Sequence, residues 1–132
     1  MKQLITLAAL MFIFATASIA QSEKTMIKSI AASSAVAALE LPGEVVVKHW
    51  DKDFIRITVT VSSKNSSEEI IKKLMDSGRY DIIANNNNGQ MIISLPKISN
   101  QVFFKGEQMN EVFNFEVQIP QGVETFNVEQ AL

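Results

Sequence analysis

The stretch GEVVVKHWDKDFIRITVTV, Gly43 to Val61, decides the fold class. Two β-branched runs, Val45 to His49 and Phe54 to Val61, flank the polar segment Asp51-Lys52-Asp53, a pattern that predicts a hairpin with a short acidic turn. In the second run Ile55, Ile57, Val59 and Val61 alternate with Arg56, Thr58 and Thr60. Such a period of two places one face of a strand in a core and the other in water.

Working outward from this stretch, the signals remain those of β structure. Thr25 to Ile30 reads as a first strand, Ala31 to Ala38 as extended chain, and Leu39-Glu40-Leu41 as an alternating run that stops at Pro42-Gly43. Tyr80 to Asn86 and Gln90 to Leu95 read as a second hairpin, because Asn88-Gly89 supplies the positive-φ residues of a tight primed turn. Val102-Phe103-Phe104 and Glu111 to Ile119 read as a third pair around the polar loop Lys105 to Asn110. A last short strand near Thr125 to Val128 follows the turn Pro120-Gln121-Gly122.

One helix interrupts the strands. Ser66 with Glu69 three residues on has the form of a capping box, Ile70, Ile71, Leu74 and Met75 share a face, and Gly78 stops the helix after Ser77. The expectation is therefore a mainly β domain of antiparallel hairpins, a β-sandwich or a short β-solenoid, with one amphipathic α-helix laid over it.

Composition sets the compartment and excludes several function classes. Residues 1–20 have the form of a signal peptide: Lys2, an apolar run from Leu4 to Ala15, and Ser18-Ile19-Ala20 as the cleavage site. The apolar run is shorter than the roughly 18 residues a spanning helix needs. Residues 21–132 are then a single β-rich domain of a secreted protein, at the periplasm or cell surface, not membrane-spanning after cleavage. The chain has no cysteine, which removes disulfides, thiol nucleophiles and the acylated cysteine of a lipoprotein. Its net charge of −2 argues against nucleic acid as a partner.

The order LxLPGEVVVKHWDKDFIRITVTV, a polar connection, an IIxNNNNGQMIISLP hairpin and then FNFEVQIPQGV resembles the adhesin families of bacterial envelope β-strand-repeat domains. Gly43, Val45, Val47, Trp50, Asp51, the strand Ile55 to Val61, and Ile119, Pro120, Gly122 and Val123 carry the resemblance, which covers Leu39 to Val128. It implies a β-rich fold and an envelope location. Relatives continue into further β-rungs after the Pro-x-Gly-Val strand, so this chain is either a minimal or a truncated member.

No grouping of residues has the form of a catalytic or cofactor site, and the chain is expected to be no enzyme and to hold no cofactor. His49 is the only histidine, and Asp51 and Asp53 are too few ligands for a metal loop. Trp50, Asp51 and Asp53 are the candidate interaction residues, with core packing the expected place of Trp50. Phe103, Phe104, Phe113 and Phe115 are expected to form the core of the third hairpin. The functional expectation is a structural or adhesin-like interaction module whose partner is an envelope or surface component. The alternative is a periplasmic module that binds a small apolar ligand between the Ile70 to Leu74 helix face and the sheet. A homodimer through an open edge at Glu111 to Ile119 or Thr125 to Val128 is expected, unless the first strand folds back to cap that edge.

Overall fold

The computed structural model describes residues 22–128; the signal-peptide reading of residues 1–20 and the last residues, 129–132, lie outside them. Among the described residues the fold is mainly β, with ten strands in mixed sheets, one α-helix and no closed barrel. The strands are β1 (Ser22–Ala31), β2 (Val36–Glu40), β3 (Glu44–Trp50), β4 (Phe54–Ser63), β5 (Ile83–Asn87), β6 (Gln90–Ser94), β7 (Phe103–Phe104), β8 (Glu107–Gln108), β9 (Glu111–Pro120) and β10 (Glu124–Asn127). The helix α1 spans Glu68–Asp76, and Pro96–Ser99 forms a 3₁₀ turn.

Two four-stranded sheets share one core. The first has the order β1-β4-β9-β3 and the second β10-β2-β6-β5. From the first sheet Ile55, Ile57, Val59 and Val61 of β4 and Phe113, Phe115, Val117 and Ile119 of β9 point inward. Ala37, Leu39, Met91 and Ile93 meet them from β2 and β6. The alternation in β4 and β9 thus decides the layer: each strand offers every second side chain to the other sheet.

The pairings differ from the expected hairpins in two places. β3 and β4 do not pair; β9 lies between them, parallel to β3 and antiparallel to β4. Skipping a strand requires about 10 Å between backbones, and the four Cα steps from Trp50 to Phe54 reach about 13–15 Å. The Asp51-Lys52-Asp53 segment is therefore long enough to step over the end of β9, where Trp50 registers with Pro120. The third hairpin is also different: Phe103-Phe104 pairs with Glu107-Gln108 in a ribbon of its own. Its turn, Lys105-Gly106, has both residues at positive φ. Phe113 and Phe115 are core, while Phe103 is exposed.

The Asn88-Gly89 hairpin forms as its turn chemistry requires, with φ values of 52° and 81° joining β5 to β6. Its first strand begins at Ile83, not Tyr80, which lies in the turn after the helix. The helix starts one residue later than the capping pattern indicates: Ser67, not Ser66, accepts the Ile70 N–H at 3.3 Å. α1 lies against β1, buries Ile71 completely, and packs Ile70, Leu74 and Met75 on the core. Gly78 follows it at φ 91°.

Of the two expected edges, one is present and the other is not. β9 is an interior strand, so Glu111 to Ile119 offers no open edge. β10 is an edge of the second sheet, and β1 does not cap it, because β1 pairs with β4 in the first sheet.

Candidate interaction surface

Register fixes what the outer face of the first sheet displays. Residues paired across strands share a face, so Thr25, Thr60, Asn114 and Glu44 form one transverse row, and Ile27, Thr58, Glu116 and Val46 the next. Ser29, Arg56, Gln118 and Lys48 follow, then two pairs, Ala31 with Phe54 and Trp50 with the buried Pro120. The first and third rows are polar throughout and the second mixes polar with apolar groups, whereas the residues of the last pairs are all apolar.

Trp50 thus sits outside the core, contrary to its expected place. The reason is parity: Val45 and Val47 face inward with Phe115 and Val117, which turns Trp50 outward with Pro120. There its indole N–H donates to the Phe54 carbonyl at 2.9 Å, and its ring meets that of Phe54 edge-on, 5.0 Å between centroids. The Arg56 guanidinium lies 5.1 Å from the Trp50 ring and 5.8 Å from that of Phe54. A cation so placed is attracted to the negative ring face, and the three side chains hold one another as a half-buried platform. Asp51 and Asp53 stand exposed beside it on the crossing segment. His49 faces the other way and bonds the Val123 carbonyl through Nε2 at 3.2 Å, so the structure does not bring it to the two aspartates. Among the described residues no three His, Asp or Glu side chains converge as a metal site would require.

A second cluster escaped the reading of the sequence because its members come from separate elements. Arg79, just after α1, and Glu111, the first residue of β9, form a two-pronged ion pair. Nε lies 3.0 Å and Nη2 2.6 Å from the two carboxylate oxygens, and both side chains are only 8% exposed. The remaining guanidinium N–H groups reach the carbonyls of Lys97, Ile98 and Asn100 around the 3₁₀ turn. Tyr80, fully buried, donates its hydroxyl to the same carboxylate. Burial, then the bond to Glu111, hold the Tyr80 hydroxyl far above the ordinary tyrosine range. The bond to Glu111 raises the Arg79 guanidinium further, against the opposing effect of burial. Every Arg79 donor has an acceptor, so this is a clasp between elements and leaves no group free to act on a substrate.

Beside the clasp lies an open groove of about 950 Å³, between the Pro42-Gly43 corner, the loop at 98–102 and the segment 108–114, which runs from the end of β8 into the start of β9. Ile98, Val102, Met109, Val112 and Phe113 give it apolar walls. The Asn65 side chain binds the Gln108 carbonyl and the Asn110 N–H at 2.9 Å each, bracing one rim. Among the described residues no helix is long and apolar enough to cross a membrane. No protein-family model, curated protein or solved structure matches the chain, so the likeness to adhesin domains rests on the residues that carry it.

Proposed function

We propose that the chain is a non-enzymatic, adhesin-like interaction module of the bacterial cell envelope, exported by its signal peptide to the periplasm or cell surface. One observation carries the reading: Trp50, Phe54 and Arg56 form a platform on the solvent side of a sheet, outside the core that holds the fold. A large aromatic surface left half-open beside charged groups is the composition that interaction sites favour, since the ring supplies area and its neighbours supply direction. Asp51 and Asp53 rim it. Labelled protein incubated with washed envelope fractions should be retained saturably. Trp50→Ala should cut retention about tenfold, as expected for an aromatic anchor. Asp51→Asn with Asp53→Asn should shift its dependence on salt. Absence of retention, or retention indifferent to Trp50, overturns the proposal.

The groove supports a second reading, a module that carries a small apolar ligand. Its volume falls in the range typical of ligand pockets, about 300–1,000 Å³. The helix face expected to hold such a ligand is instead packed on the core, so the ligand would lie against Val102, Val112 and Phe113. A native mass spectrum of freshly purified protein that shows only the bare polypeptide argues against it.

A further inference from the structure

We infer that two copies of this chain join through β3, edge to edge, into one continuous eight-stranded sheet with a two-fold axis at Val46. Among the described residues β3 is paired on one side only, by β9, and its other edge presents unpaired backbone groups along Glu44–Trp50. Such an edge accepts a strand unless its side chains repel one. Here they are self-complementary. A two-fold axis perpendicular to the sheet keeps the outward face of one copy outward in the next, so only registers that match outward residues with outward residues are allowed.

In the register centred on Val46, Glu44 of each copy stands opposite Lys48 of the other, and Val46 meets its own counterpart. On the inward face Val45 lies opposite Val47. The register centred on Val47 would instead set Val46 against Lys48 and Glu44 against Trp50. The one centred on Val45 would set Glu44 against Val46. Only the first puts opposite charges together twice and apolar beside apolar, the pairs that stabilise antiparallel strands. Val46 is 52% exposed, an unusual state for a valine at the middle of a strand, and pairing would cover it. Lys48, now 3.1 Å from Glu116 of its own chain, is 62% exposed and free to bridge to the second carboxylate. β10, the edge of the second sheet, lies on the same side, since His49 on β3 bonds the carbonyl that leads into it.

This inference does not depend on what the aromatic platform binds. Sedimentation of the purified secreted chain over a rising concentration series should show a monomer–dimer equilibrium. Glu44→Lys alone, or Lys48→Glu alone, sets like charges opposite each other at both symmetric contacts and should weaken dimerisation by about tenfold or more. An equimolar mixture of the two variants should restore it, because each contact then joins a lysine to a glutamate. Val46→Cys, in a chain with no other cysteine, should crosslink to a covalent dimer under mild oxidation. A chain that stays monomeric to high micromolar concentration overturns the inference. So does a dimer that ignores the charge reversals, which would place the joint on another edge.

Discussion

Gly43 shows how a single residue holds two layers of this molecule in register. It has a φ of 109°, and a Cβ added there would lie 2.3 Å from the Phe113 carbonyl oxygen of β9, closer than atoms can approach. Gly89 also has a positive φ, 81°, yet a Cβ there meets nothing within 4 Å. The two positions separate strain from collision. Gly89→Ala should cost about 1 kcal/mol, the penalty of a left-handed conformation alone. Gly43→Ala should cost about 3 kcal/mol or more, because the corner between β2 and β3 must also move off β9. Denaturant midpoints of the two variants measure both. At this scale the sequence was legible for Gly89, whose neighbour Asn88 announces the turn. For Gly43 it announced the turn but not the collision, since Phe113 approaches from far along the chain. Ser66 and Ser67 show the same limit: adjacent serines have equal chemistry, and only the path of the chain into α1 selects Ser67 as the cap.

Between elements, the clasp of Arg79, Tyr80 and Glu111 ties the end of α1, the 3₁₀ turn and the start of β9 together. A buried ion pair adds little net stability, but removing one member strands the other without water. Arg79→Met should therefore destabilise by about 3–5 kcal/mol, and adding Glu111→Leu should recover part of that loss. Chemical unfolding of the single and double variants tests it. Tyr80→Phe removes one of several bonds to the carboxylate and should cost about 1–2 kcal/mol at neutral pH. Its pH dependence has a definite sign. The folded hydroxyl holds its proton far above the ordinary value of 10.0. The contribution is thus fully present below pH 10 and is lost as the pH rises through the folded value, because the unfolded tyrosine ionises first. The stability difference between wild type and Tyr80→Phe should be flat to about pH 10 and then shrink by as much as about 1.4 kcal/mol per pH unit. A difference that stays constant to pH 11.5 contradicts the burial of the hydroxyl.

For the whole molecule, the existence of most strands and the face each one buries follow from periodicity, as in β4 and β9. Their partners do not, because a period of two is the same whichever strand lies alongside. Local turn chemistry found the β5–β6 hairpin and misassigned β3 and β4, where the chain leaves room for β9 to enter from sixty residues further along. The candidate surface was half legible for the same reason. Trp50, Asp51 and Asp53 stood out by type, but Phe54 and Arg56 join Trp50 only once parity turns that strand end outward. The insertion of β9 also governs how the fold holds together. Among the described residues β9 is the sole sheet partner of β3 and one of two for β4, and it carries Phe113, Phe115, Val117 and Ile119 into the core. β10 only borders β2, which keeps β6 on its other side. Truncation after Val123 should therefore leave a cooperatively unfolding domain of lower Tm. Truncation after Asn110 should abolish cooperative unfolding altogether, since the first sheet loses its centre and β3 has nothing left to pair with. Near-ultraviolet circular dichroism and thermal melts of the two truncations distinguish these outcomes, and a sharp transition in the shorter one would mean that β9 docks onto a sheet already complete without it.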